Sequence, residues 1–339
     1  MKPVSLISVA SYLPEKIVDN DFFKNESGLK THSMFRGTKL RHHIGENETC
    51  TDMATIALTR LAEKININLQ HDVDILMTNV TIPDIPFVGP GASIVGALKL
   101  KPKYVYDLQN GGCVSFIFMM ELARAIINST DAKNAVICNF QTAAGRILAL
   151  PDNRKLPQSA IPGDGCGVAF LAADDSSPIE AIVTRTHGEY ANDMRPIAPD
   201  GRKWWEPGVT AFNIDFNKSR LAAIVGRGNK LVPEVLNQAM TMANVTHKDI
   251  GALVTNQPNK FFLRNWRESV LIPEEKQVHT FDEHGNLFGA AIPICFERGI
   301  DTGVIKPGEK ILLGGFSHAG DYTASAVIHW QKKARPSPA

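Results

Sequence analysis

The stretch Tyr106-Asp107-Leu108-Gln109-Asn110-Gly111-Gly112-Cys113-Val114-Ser115-Phe116 decides how this chain is read. Its first residues predict a short strand, the glycine pair a tight turn, and the run from Phe116 to Ile127 an apolar helix opened by Cys113. A thiol at a helix amino terminus meets unpaired backbone N–H groups and the positive end of the helix dipole. That setting favours thiolate and makes the sulfur a nucleophile. The glycines permit positive φ and let a substrate approach. The pattern alone leaves a second reading open, that Cys113 is a small buried hydrophobe, the common fate of a free cysteine. Cys50, Cys138, Cys166 and Cys295 sit in apolar or loop contexts without such a turn and read as packing residues. No CxxC pair exists, so neither a zinc site nor a disulfide framework is expected.

Outward from this turn, strand and helix signals alternate. Apolar, β-branched runs lie at Val4 to Val9, Val73 to Val80, Ala135 to Phe140, Val168 to Ala172, Ile179 to Thr184, Ile250 to Thr255, Lys310 to Phe316 and Ala324 to Trp330. Helical periodicity appears at Ala54, Leu58, Leu61, Ala62 and Ile65, and again at Phe116 to Ile127, Leu221 to Met242 and Ala290 to Ile300. Alternation of this kind predicts an α/β sandwich built on a central sheet. Gly226, Gly228 and Pro233 argue against one continuous helix over Leu221 to Met242. Asp74-Ile-Leu-Met-Thr-Asn79 echoes Gly251-Ala-Leu-Val-Thr-Asn256, each an apolar strand ending in Thr-Asn. Two related halves, 1–176 and 177–339, fit the echo; chance similarity of buried strands is the alternative. Tyr190 to Gly208 reads as a long ordered loop and the last six residues as a frayed tail.

Composition narrows the function classes. The chain has 339 residues, with 36 Lys and Arg against 35 Asp and Glu, a net charge of +1. That balance argues against a protein held to nucleic acid by phosphate neutralisation. The longest apolar stretch, Cys113 to Ile127, carries Glu121 and Arg124, so no membrane span is expected. Met1 to Leu13 lacks the long apolar core of a signal peptide, which points to a cytoplasmic protein. There is no Walker loop and no GxGxxG after a strand.

Four landmarks taken together resemble a known family. Cys113 with Ser115-Phe116, Gly163-Asp-Gly-Cys-Gly167, Asn256-Gln-Pro-Asn259 and His284-Gly-Asn286 resemble, in order and over nearly the whole chain, the β-ketoacyl-acyl-carrier-protein synthase III group of the thiolase superfamily. The resemblance implies a duplicated five-layer αβαβα fold, a homodimer, and an acyl thioester bound down a phosphopantetheine tunnel. It implies that Cys113 becomes acylated, that Phe87 reaches the partner's site, and that Arg36 contacts a coenzyme A nucleotide. No tightly bound cofactor is implied; the acyl donor is acyl-coenzyme A or a phosphopantetheinyl carrier protein. Gly163 to Gly167 would form a structural turn beside the site.

Two departures bear on activity. The condensing members use Cys, His and Asn, but Asn256 stands at the position of that histidine. An asparagine donates a hydrogen bond yet exchanges no proton near neutral pH, which disfavours decarboxylative condensation. Asp321, in Gly315-Phe-Ser-His-Ala-Gly-Asp321, falls in a loop that is glycine-rich and free of acid in the condensing members. One extra residue also separates Asp107 from Cys113. The pair His284 and Asp321 resembles the relocated Cys-His-Asp triad of the acyltransferase branch, of the cervimycin malonyltransferase type.

The sequence therefore predicts an acyltransferase of natural-product, secondary-metabolite type. Cys113 takes the acyl group, and His284, oriented by Asp321, deprotonates a hydroxyl or amine of a small acceptor. His318 competes for the role of base and otherwise contacts substrate. Asn256 and Asn286 are expected to hydrogen-bond the thioester or acceptor. The backbone N–H of Cys113 and one near His318 to Gly320 would complete an oxyanion hole. Alternatives are a condensing synthase with a Cys-Asn-Asn site and a non-catalytic partner subunit. Trp204-Trp205 reads as packing or a pocket roof, Lys260 and Arg264 as a basic face for a carrier protein or solvent, and His42-His43 as structural. No metal site is expected.

Overall fold

Nine strands form two sheets in the computed structural model, which describes residues 2–24, 37–194, 196–198, 200–203, 205, 206, 208, 213, 214 and 218–331. The first sheet contains β1 (Ser5–Tyr12), β2 (Ile75–Val80), β3 (Tyr104–Leu108), β4 (Asn134–Gln141) and β5 (Gly165–Ala172), in the order β1-β5-β4-β2-β3. The second contains β6 (Ile179–Thr186), β7 (Ile250–Thr255), β8 (Lys310–Ser317) and β9 (Tyr322–His329), in the order β7-β8-β9-β6. Each predicted apolar run lies within a strand or overlaps one by all but a residue or two.

Read from its antiparallel end, the second sheet repeats the order of the first. β7 and β8 pair in parallel, as β2 and β4 do, and the strands beyond them turn antiparallel. The counterpart of β3 is reduced to one parallel bridge between Leu253 and Gln277, closed by Val278 N–H donating to the Leu253 carbonyl at 3.1 Å. β2 and β4 are buried almost throughout, which explains why their sequences are continuous apolar runs rather than alternating ones.

Four helices complete five layers. α1 (Cys50–Ile65) covers the outer face of the first sheet, placing Met53, Ala57 and Leu61 in one core with Leu76, Val136 and Cys138. Its start is fixed by a capping box: Asp52 N–H donates to Thr49 Oγ1 at 3.1 Å, and Thr49 N–H donates to Asp52 Oδ2 at 2.9 Å. α2 (Ser115–Ser129) and α4 (Ala291–Asp301) lie between the sheets, where Phe116, Met120, Phe296 and Cys295 join Met77, Ile137, Val254 and Leu313. α3 (Lys218–Met242) covers the outer face of the second sheet through Val232, Val235, Leu236 and Ala239. Emptying one such position, as in Phe116→Ala, costs about 3–5 kcal/mol.

Two expectations are corrected. α3 runs through Gly226, Gly228 and Pro233 as one helix. Packing overrides local propensity: Trp266 Nε1 donates to the Gly228 carbonyl at 2.9 Å, and the Phe262 ring lies where a side chain at 228 would be. Gly112–Ser129 has the length and apolarity of a membrane span, although no such stretch was expected. Among its residues Phe116, Ile117, Met119 and Met120 are wholly buried between the sheets.

Arg36, Trp204 and the tail at 334–339 lie outside the described residues. Trp205 is exposed. His42 and His43 belong to a short strand, Leu40–His43, paired with Lys16–Asp19.

Candidate active site

Cys113 is carried on a single 3-10 turn, Gly112–Val114, that leads into α2. Asn79, at the end of β2, steadies the loop before it by donating from Nδ2 to the Leu108 carbonyl at 2.8 Å. The turn needs two left-handed glycines, Gly111 at φ 83° and Gly112 at φ 44°. Gly112 is also a close approach: a Cβ there would lie 2.1 Å from Ser317 Oγ and 2.8 Å from His318 Cε1. The loop after β8 thus presses directly on the nucleophile turn.

Cys113 is the one partly accessible cysteine; Cys50, Cys138, Cys166 and Cys295 are fully buried. Burial pushes the Cys113 thiol up to about 12; a backbone hydrogen bond from His318 opposes this and the Asp321 charge adds to it. Burial therefore opposes the thiolate that the helix terminus favours. A thiol held up in this way gives its proton most readily to a neighbouring base.

The expected pair of His284 and Asp321 is not formed. Asp321 faces His318, whose Nδ1 lies 3.0 Å from Oδ2 and 3.2 Å from Oδ1. Asp321 is nearly buried and is fixed by Tyr322 N–H donating to Oδ1 at 3.1 Å. A carboxylate can only accept, so the tautomer that fits this pair has its proton on Nδ1 and leaves the Nε2 lone pair available. A Cβ on Gly112 would lie 3.1 Å from that Nε2. His318 adopts φ 44°, a conformation that costs a non-glycine residue about 1–2 kcal/mol. Strain of this kind is held where the surroundings impose it, often at functional sites.

His284 is elsewhere occupied. Its Nε2 lies 3.9 Å from Glu283 Oε2, its ring centroid 5.3 Å from that of His42, and its buried Nδ1 has no partner. Burial, with the neighbouring His42, pushes it down to about 4. Its backbone explains part of the glycine motif at 163–167, because a Cβ on Gly163 would lie 2.1 Å from the His284 carbonyl oxygen. Asp164 in the same motif is wholly buried and accepts from the N–H groups of Ile44, Ala144 and Gly145 at 2.7–2.9 Å.

Asn256 is also corrected. It is buried, with Nδ2 donating to the Phe316 carbonyl at 3.0 Å and Oδ1 accepting from Phe316 N–H at 3.3 Å. Its amide clamps the end of β8 through both backbone groups of one residue. Asn286 Oδ1 accepts from Phe288 N–H at 3.1 Å, and its backbone bonds Ile161 and Gly163. Phe87 is 95% exposed and held at φ 70°, between Ile85 and Val88.

Ser317 is the residue that the sequence reading passed over. It is wholly buried, and its Oγ accepts from Cys113 N–H at 3.1 Å and lies 3.1 Å from His318 Nδ1. The available signal was a hydroxyl in the Gly315 to Asp321 segment, two residues after a glycine and next to His318.

Two family models match the chain: 3-oxoacyl-[acyl-carrier-protein] synthase III over residues 106–188 and its C-terminal domain over residues 240–330. The chain belongs to the β-ketoacyl-[acyl-carrier-protein] synthase III-like family of the thiolase superfamily. Relatives include the β-ketoacyl-[acyl-carrier-protein] synthase III of Neisseria gonorrhoeae strain NCCP11945, 27% identical over 97% of this chain and 99% of that one. The synthase III of Xanthomonas axonopodis pv. citri strain 306 is 24% identical over 96% and 98%. The Thermus thermophilus synthase III structure superposes with a TM-score of 0.81, at 24% identity over 97% of this chain and 99% of that one, and supports the fold. The five-layer sandwich implied by the sequence is therefore shown, as is an enzyme family whose members handle acyl thioesters.

Proposed function

We propose that this chain is an acyltransferase that moves an acyl group from acyl-coenzyme A or an acyl carrier protein, through an acyl-Cys113 enzyme, to a hydroxyl or amine of a small natural-product-like acceptor. The observation that carries the reading is the His318–Asp321 pair set over the Cys113 turn, together with the engagement of Asn256 in the backbone of Phe316. His318 Nε2 takes the Cys113 proton as sulfur adds to the thioester carbonyl. The tetrahedral adduct collapses, the donor C–S bond breaks, and the leaving thiolate takes the proton back. The acceptor X–H then gives its proton to Nε2 as X attacks the acyl-cysteine, and the Cys113 thiolate departs and is reprotonated. Nothing in this cycle requires a histidine at 256.

The chain acts as a homodimer in this reading, supported by the unpaired edge of β3, where Val105 and Tyr106 are exposed, and by the exposure of Phe87. The halves 1–176 and 177–339 are read as copies of one unit, supported by the matching strand orders.

Carbon–carbon condensation is the second reading, favoured by the names of the relatives. Product masses separate the two. With a malonyl donor, acyl transfer to X–H conserves all malonyl carbon in the product, whereas decarboxylative condensation releases carbon dioxide and leaves the product 44 mass units lighter, a difference of about one carboxyl group.

A further inference from the structure

Ser317 places a hydroxyl at the spot where a main-chain oxyanion donor would otherwise act. The Cys113 N–H is not free, because it donates to Ser317 Oγ at 3.1 Å. The second neighbour of that oxygen, His318 Nδ1 at 3.1 Å, must hold its own proton for Asp321. Both neighbours of Oγ are therefore donors, and neither can accept the Ser317 proton. The remaining direction is toward the Cys113 thiol, on which the Ser317 side chain and the His318 backbone N–H both act as hydrogen-bond donors.

We propose that Ser317 is a catalytic residue whose O–H, polarised by the Cys113 N–H behind it, receives the thioester oxygen as that oxygen becomes an oxyanion. As sulfur bonds carbon, the carbonyl π pair moves onto oxygen. The Ser317 O–H turns from the sulfur to that oxygen, and the His318 N–H is the second donor. No proton leaves Ser317: the Cys113 proton goes to His318 Nε2, and collapse of the adduct restores the carbonyl. A donor fixed in a buried site toward developing charge is worth about 10²–10³ in rate. The inference rests on the acyl-Cys113 reading and adds to it a side-chain donor in place of a main-chain one.

Ser317→Ala and Ser317→Gly separate this role from packing. Alanine removes the donor and leaves a methyl against Cys113 N–H; glycine removes the donor and frees that N–H to bind the oxygen directly. The rate of acyl-adduct formation on Cys113 is followed by intact-protein mass spectrometry with acetyl-, malonyl- and octanoyl-coenzyme A, and iodoacetamide alkylation of Cys113 is followed in parallel. The expected result is a loss of roughly 10²–10³ in acylation for Ser317→Ala, recovery to within about tenfold of wild type for Ser317→Gly, and alkylation slowed equally in both by no more than about tenfold, since each loses the Ser317 hydrogen bond to the thiol. Acylation of Ser317→Ala at the wild-type rate overturns the inference while leaving the acyl-enzyme intact. Equal losses of acylation and alkylation in both variants overturn it in favour of packing. A wild-type protein that forms no adduct with any of the three donors overturns the acyl-enzyme reading and this inference with it.

Discussion

Asp321 Oδ2 lies 3.0 Å from His318 Nδ1, three residues away in the same loop, while His284 lies against His42 with its Nδ1 unpartnered. The proposed mechanism takes its base from this pairing. Asp321→Asn keeps the shape but presents an amide that can stabilise the wrong tautomer. Turnover is expected to fall by roughly 10²–10⁴-fold with little change in KM. His284→Gln is expected to stay within about threefold of wild type, measured as kcat on the same donor and acceptor.

Thiol reactivity follows from burial. With Cys113 pushed up to about 12, native-state alkylation by iodoacetamide rises about tenfold per pH unit through pH 9 to 10, where an ordinary thiol levels off. The four buried cysteines remain unmodified until the protein unfolds. Peptide mapping of the alkylated protein at several pH values checks both points.

Asn256→Ala removes the partner of both backbone groups of Phe316. Each is left buried and unpaired at about 1–3 kcal/mol, so a loss of about 2–6 kcal/mol is expected in urea unfolding. The ordering of stability loss matters: it should exceed any loss traceable to acyl transfer in the protein that remains folded.

Acid lability has a definite sign. Burial holds both His43 and His284 down from 6.5 to about 4. Between those values the unfolded chain binds protons that the folded chain refuses, so stability is full above about pH 6.5 and falls as pH drops toward 4. Each group contributes up to about 3 kcal/mol over that window. His43, wholly buried beside Phe22 and Phe23, is the cleaner test. His43→Phe is expected to lower the slope of unfolding free energy against pH by about one proton between pH 5 and 6.

Much of the fold was legible because its strands are buried on both faces and its layer helices carry a regular apolar stripe. The turn at Gly111-Gly112-Cys113 was legible for a similar reason, since glycine pairs before an apolar helix announce a tight backbone approach. The choice of histidine was not. His284 and His318 both stand near short motifs, and only the tertiary path of the β8–β9 loop decides which one meets Asp321. Ser317 was hidden by the same loop, because its importance lies in a contact 204 residues away along the chain. The helix terminus at Cys113 is a local feature that sequence displays, whereas its burial depends on residues far along the chain such as Ser317. Asn256 was read as facing substrate because sequence shows which residue replaces a histidine, not where its amide points.

The most direct measurement is single-turnover acylation of Cys113, followed by intact-protein mass spectrometry, in His318→Gln beside His284→Gln. The account predicts that His318→Gln acylates at least about 10²-fold more slowly than wild type while His284→Gln keeps pace with it. The reverse order, with His284→Gln slow and His318→Gln unimpaired, would contradict it.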